Sequence, residues 1–124
     1  MAKKRVFVSF DFDNDKTAKD FIIAQSRLAD SPFEVIDHSL KEASPETQWL
    51  LKARAAISRS EVLIVMLGSR TRYAPGVLKE VAIANELKKP RFQLIDKNGS
   101  ETWAVPNGGR VYRWDWGNLK KLLG

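Results

Sequence analysis

A chain of 124 residues has room for one hydrophobic core and too few residues for two, so a single domain spanning 1–124 is expected, and 44% hydrophobic content suits a soluble globule. The absence of cysteine and the presence of one histidine, His38, exclude disulfides, thiol nucleophiles, cysteine-ligated metals, multi-histidine metal sites and a catalytic histidine pair. The net charge of +6 favours anionic partners, but its cations are scattered in short groups without a recognisable nucleic-acid signature, which makes nucleic acid the least favoured of them.

In chain order, "RVFVSF" (Arg5 to Phe10) is rich in β-branched and aromatic residues and reads as a strand opening onto the polar loop "DFDND". Phe21, Ile22, Gln25, Leu28 and Ala29 recur at helical spacing and predict a helix over Lys16 to Ala29, closed by "DSP". "FEVID" (Phe33 to Asp37) is a second strand. Ser44, Pro45 and Glu46 form a helix start, with a hydroxyl to cap, a proline at the first helical position and an acid in the first turn. The helix they open turns Leu50, Ala53 and Ile57 inward. "EVLIVMLG" (Glu61 to Gly68) is almost unbroken apolar sequence, as expected of a central parallel strand covered on both faces.

A loop at Gly68 to Arg72 then leads into the amphipathic helix of "TRYAPGVLKEVAIANELKKP", and "RFQLI" returns the chain to a fourth strand at Arg91 to Ile95. Turn signals at Asn98–Gly99 and Asn107–Gly108–Gly109 predict an irregular excursion, followed by a short edge strand in "VYRWDW" and a closing helix in "NLKKLLG". Strands and helices alternating through short loops imply a flavodoxin-like, doubly wound three-layer α/β sandwich with a mostly parallel five-stranded sheet. No apolar run approaches the roughly 18 residues of a membrane span, and the basic start lacks the apolar stretch of a signal peptide. A cytoplasmic location with no membrane partner is the expectation.

Ligands of such sheets bind beyond the carboxyl ends of the strands. That rule selects Ser9 to Asp15, Asp37 to Ser39, Gly68 to Arg72 and the stretch from Asp96 onward. Asp11, Asp13 and Asp15 are candidates for Mg²⁺, but the third strand ends in Gly68 and Ser69 where a phosphoryl-accepting receiver needs an aspartate. A calcium loop fails too, with Lys16 in the glycine position and Ile22 in place of the final acid. These acids therefore read as solvated loop residues, and His38 as a loop histidine; no metal and no cofactor is called for. Trp103, Trp114 and Trp116 read as packing or interface residues rather than a stacking platform.

Glu80 is the odd residue of its helix. Its neighbours at three and four residues are Gly76, Val77, Ile83 and Ala84, so it has no cation at salt-bridge spacing, whereas Glu86 is followed by Lys89 at three. It lies on the flank of the apolar stripe. Two readings are open: an acid whose stem covers apolar surface while its head finds water or a backbone donor, or a carboxylate kept at a crevice for chemistry.

The stretches "RVFVSFDFD", "FEVIDHS", "ISRSEVLIVMLGSRT" and "VLKEVAIANELKKP" together resemble the TIR-like domains of the type that includes the ThsB proteins of Thoeris antiphage systems, over roughly residues 4 to 95. Related TIR domains cleave the nicotinamide–ribose bond of NAD⁺, and some cyclise the product. The resemblance implies that Glu80 is the catalytic acid, that Ser9 and Phe10 flank the nicotinamide ribose, that Asp37 and Ser39 line the crevice, and that Gly68, Thr71 and Arg72 meet phosphates or ribose. It further implies NAD⁺ or a related nucleotide as substrate, no cofactor, self-association, and a downstream effector protein. Gly76 replaces the family's usual aromatic four residues before the glutamate, with Tyr73 nearby as a substitute. A catalytically silent module that binds a nucleotide or a protein through the same crevice is the alternative.

Overall fold

The computed structural model describes residues 3–11, 14–36 and 46–124. The elements run β1 (Lys4–Ser9), α1 (Lys16–Ser26), β2 (Phe33–Val35), α2 (Glu46–Arg59), β3 (Val62–Leu67), α3 (Pro75–Glu86), β4 (Arg91–Ile95), β5 (Arg110–Arg113) and α4 (Trp116–Leu123), with short 3₁₀ turns at Thr71–Tyr73 and Glu101–Trp103. The five strands form one sheet in the order β2-β1-β3-β4-β5. Every pairing is parallel, which completes the expected flavodoxin-like arrangement.

Strand alternation divides the core into two halves. Phe7, Leu63, Val65 and Leu67 face α2 and α3, where Trp49, Ala53, Ile57, Val77, Val81 and Ala84 cover them. Val6, Val8, Ile64 and Met66 face the other way, onto Ile22 of α1 and Leu119 and Leu123 of α4. β3 is buried at every position, which is why its sequence reads as a continuous apolar run. Each fully buried branched side chain contributes roughly 1.5–3 kcal/mol of transfer free energy.

Local chemistry sets the element ends. α1 stops at Ser26, short of the expected Ala29, because the Ser26 hydroxyl donates to the Ile23 carbonyl at 2.5 Å and the next amides turn back on Ala24 and Gln25. α2 begins by Glu46 as expected, while its anticipated capping residues Ser44 and Pro45 lie outside the described residues. α3 starts at Pro75, whose ring supplies the helical φ and whose missing N–H would have had no helical partner. α4 is capped by Asp115, whose carboxylate accepts the Asn118 amide at 2.8 Å. No helix among the described residues is long and apolar enough to cross a membrane.

The excursion between β4 and β5 is held by a residue that the sequence reading passed over. Gln93 is 1% exposed on a central strand. Its amide donates to the carbonyls of Val105 (3.1 Å) and Gly109 (2.8 Å), and its oxygen accepts the Val105 amide (2.7 Å). Three hydrogen bonds from one side chain fasten an otherwise irregular segment to the sheet.

Candidate functional site at the strand ends

β1 lies between β2 and β3, and the helices that follow β1 and β2 pack on opposite faces of the sheet. The chain thus winds away in two directions from the carboxyl ends of β1 and β3, and a crevice opens where it divides. Its walls come from the loop after β1, the loop after β3 and the start of α3.

Ser9 is the last residue of β1 and is fully buried. By strand alternation it shares the face of Phe7, beneath α3. Glu80 sits about one and a half turns into α3, 7% exposed, between Val77, Val81 and Ala84. The Ser9 hydroxyl donates to Oε1 of Glu80 at 2.6 Å, across 71 residues of sequence. This explains the acid without a helical cation: its hydrogen-bond donor is on the sheet. It also places Glu80 deeper than the flank of an apolar stripe suggests, inside the α3–β1 contact.

The loop after β3 is closed by a second polar group. Thr71 is fully buried, and its hydroxyl accepts the Gly68 amide at 2.7 Å while donating to Oδ2 of Asp15 at 2.9 Å. The Asp15 carboxylate lies against the Cα of Gly68, in the space a Cβ would fill, so only glycine allows this approach. Asp15 precedes α1 but makes no side-chain cap, because its carboxylate is turned to Thr71. Partial burial raises its pKa above the ordinary value; the Thr71 hydrogen bond opposes the rise and the neighbouring Asp11 charge adds to it. Asp11 is itself 6% exposed and accepts the Asn14 amide group at 2.6 Å. Asp11 and Asp15 are therefore structural parts of the crevice wall, which corrects the reading of them as solvated loop acids; Asp13 lies outside the described residues.

The other residues expected at the site are placed differently from one another. Gly68 and Thr71 stand at the crevice, but the amide of one and the hydroxyl of the other are bonded to each other. Arg72 reaches over the Tyr73 ring at 4.5 Å and donates to the Ser69 carbonyl at 2.9 Å, which leaves it at the lip. Tyr73 is 67% exposed and does not fill the place of an aromatic at Gly76. Phe10 points to the opposite face of the sheet from Ser9, packing with Val8 and Ile22 near Lys19, whose ammonium is 5.8 Å from the ring centre. Asp37, Ser39 and His38 lie outside the described residues.

No group of three or more His, Cys, Asp or Glu side chains suited to a metal occurs among the described residues. The Asp15–Thr71 pairing escaped the sequence because its partners are 56 residues apart. Only the G-S-R-T turn and the acid before α1 hint at it.

Known proteins share this architecture. A solved structure of the CMP N-glycosidase BcmB of Clostridium botulinum matches with a TM-score of 0.61 and 20% identity, over 97% of this chain and 94% of that one. A conserved protein from Enterococcus faecalis V583 matches with a TM-score of 0.67 and 13% identity, over 98% of both chains. At these identities the likeness is one of fold. No curated protein matches. The family model of the Thoeris protein ThsB, TIR-like domain, matches residues 7–97, a span that runs from β1 past the end of β4 and contains both Ser9 and Glu80. The chain belongs to the ThsB TIR-like domain family.

Proposed function

We propose that the protein cleaves the N-glycosidic bond of a nucleotide, with NAD⁺ as substrate and nicotinamide as leaving group, and that Glu80 is the catalytic carboxylate. The observation that carries this is the hydrogen bond of Glu80 to Ser9 at the point where the winding of the sheet divides. Membership in the ThsB TIR-like family supports it, as does the shared fold of a neighbour described as a CMP N-glycosidase.

The chemistry asks little of the protein. Nicotinamide in NAD⁺ is already cationic, so its departure needs neither a metal nor a strong general acid. As the bond breaks, positive charge develops on the ribose ring. A carboxylate held against that ring stabilises the oxocarbenium-like transition state and accepts hydrogen bonds from the ribose hydroxyls. Ser9 holds Oε1 of Glu80 in place, so no reorientation is required when the charge appears. Water then attacks the ribose, or a second group of the same nucleotide does so and closes a ring, a signal of the kind an antiphage system uses.

The test is to incubate the protein at high concentration with NAD⁺, and separately with CMP, and to measure free nicotinamide and free cytosine. Glu80→Gln is expected to lower nicotinamide release at least a hundredfold, with an unchanged circular-dichroism spectrum. Equal turnover by the variant and the parent removes Glu80 from the mechanism. Cytosine release in place of nicotinamide moves the substrate from NAD⁺ to a pyrimidine nucleotide.

A further inference from the structure

Next to the crevice, sharing Asp15 and Gly68 with its wall but lined by neither Ser9 nor Glu80, lies a hollow. It caps the carboxyl ends of β3 and β4, with Leu94 in its floor, Trp103 and Trp114 in its walls and Asp15 and Asp96 among its polar groups, and encloses about 270 Å³. A second hollow of about 460 Å³ shares Asp96 and Trp114 with it and extends to Phe21 on α1. Together they reach the size range of small-molecule sites, roughly 300–1,000 Å³.

Its lining is unusual for this molecule in two respects. First, a chain of net charge +6 places no lysine or arginine in either hollow. Both carboxylates commit one oxygen internally, Asp15 Oδ2 to Thr71 and Asp96 Oδ1 to the Lys97 amide at 2.7 Å. The second oxygen of each makes no hydrogen bond among the described residues.

Second, its aromatic rings carry none of the protein's own cations. Elsewhere cations stand over several rings: Arg72 over Tyr73, Arg110 over Tyr112, Lys120 over Trp116 and Lys19 over Phe10. Among the described residues no cation stands over Phe21, Trp103 or Trp114. Trp114 is instead fixed in orientation, edge-on to Phe21 with centroids 5.4 Å apart, its indole N–H donating to Gln25 Oε1 at 2.8 Å. Phe21 remains 59% exposed, an apolar side chain left at the mouth of a cavity.

Aromatic rings beside carboxylate oxygens are the surroundings that a weakly hydrated organic cation prefers, since the ring quadrupole and the acid both attract it. An anion would meet two carboxylates. A metal ion would lack a third ligand of the usual kinds among the described residues. We propose that this hollow is a binding site for a small organic cation carrying a quaternary nitrogen, either a planar N-alkylpyridinium or a tetraalkylammonium group. Glu80 lines neither hollow.

The test uses the intact chain labelled with ¹⁵N, in which each tryptophan indole gives its own NMR signal. Titration with N-methylnicotinamide cation and with tetramethylammonium, against neutral nicotinamide as control, is expected to shift the Trp114 and Trp103 signals saturably for at least one cation. The neutral ring is expected to bind at least tenfold more weakly. Asp96→Asn, at an exposed position, should weaken the cation at least threefold, and Trp114→Leu should abolish the response at Trp103. Glu80→Gln should leave it unchanged, which separates this site from the glycosidic one. Absence of saturation by either cation, equal binding of neutral nicotinamide, or full affinity in Asp96→Asn would each overturn the proposal.

Discussion

Asp15 shows how one residue can serve the site at the expense of stability. Its pKa is raised chiefly by burial, so the folded protein holds the proton more tightly than the unfolded chain does. For an acid shifted upward the sign is fixed: below its ordinary value of 3.8 the group is protonated in both states and contributes nothing. As pH rises through the raised folded pKa, ionisation costs stability. Asp15→Asn keeps an oxygen to accept the Thr71 hydroxyl and removes the charge. The variant is expected to melt a few degrees above the parent at pH 7 and close to it at pH 3, as followed by thermal denaturation across that range. A difference of equal size at both ends would mean that the charge of Asp15 is not the cause. Glu80 and Ser9 are the other pair whose meaning emerges at this scale. The sequence marks Glu80 as lacking a helical cation, and the structure supplies a hydroxyl donor from the sheet.

At the scale of elements, α3 is the piece that presents the candidate carboxylate, and both of its ends are specified by backbone chemistry. Beyond its last residue, Lys88 adopts φ 57°, with the Lys88 amide donating to Asn85 and the Lys89 amide to Ala84, the paired bonds of a Schellman motif. That position suits glycine, and lysine is strained there. Lys88→Gly is expected to stabilise the protein by roughly 0.5–1 kcal/mol in urea denaturation, net of the greater freedom of glycine in the unfolded chain. A loss of stability would show that the Lys88 side chain contributes more than its backbone costs. The acid near that end also pairs differently from its spacing. Glu86 bonds both nitrogens of Arg54 on α2, at 2.9 and 3.0 Å, and Lys89 turns to the Ser58 carbonyl. Arg54 accordingly lowers the Glu86 pKa, first through the hydrogen bonds and then through its charge. The pair is exposed, so it aligns α3 on α2 more than it stabilises either.

For the whole molecule, the organising fact is the order β2-β1-β3-β4-β5, which brings the ends of β1 and β3 together and opens the crevice beside them. The sheet's far edge depends on Gln93. Gln93→Leu would leave the buried Val105 amide without its acceptor and release the Gly109 carbonyl, while the Val105 carbonyl keeps the Gly108 amide at 3.1 Å, at a cost of about 1–3 kcal/mol. Faster hydrogen exchange at residues 96–109, with little change at Ser9 or Glu80, is the expected result. Global loss of protection would make the excursion an integral part of the core.

Most of the strands and helices are legible in the chain because periodicity, turn residues and caps are local properties, imposed by each segment's own backbone and by the side of it that is apolar. The unbroken apolar run of β3 carries its central position with it, and the amphipathic pattern that follows marks the helix that holds Glu80. What the chain does not display is pairing at long range. Ser9 with Glu80, Asp15 with Thr71 and Gln93 with the 105–109 turn are hydrogen bonds between segments that meet only after the sheet has assembled. The fold class and the one unusual acid were thus determined by sequence alone. Which polar groups face the crevice, which are used up in holding its walls, and which aromatic rings stand without a cation of the protein's own were decided by tertiary structure, because hydrogen bonds and ring contacts depend on distance in space and carry no fixed spacing along the chain.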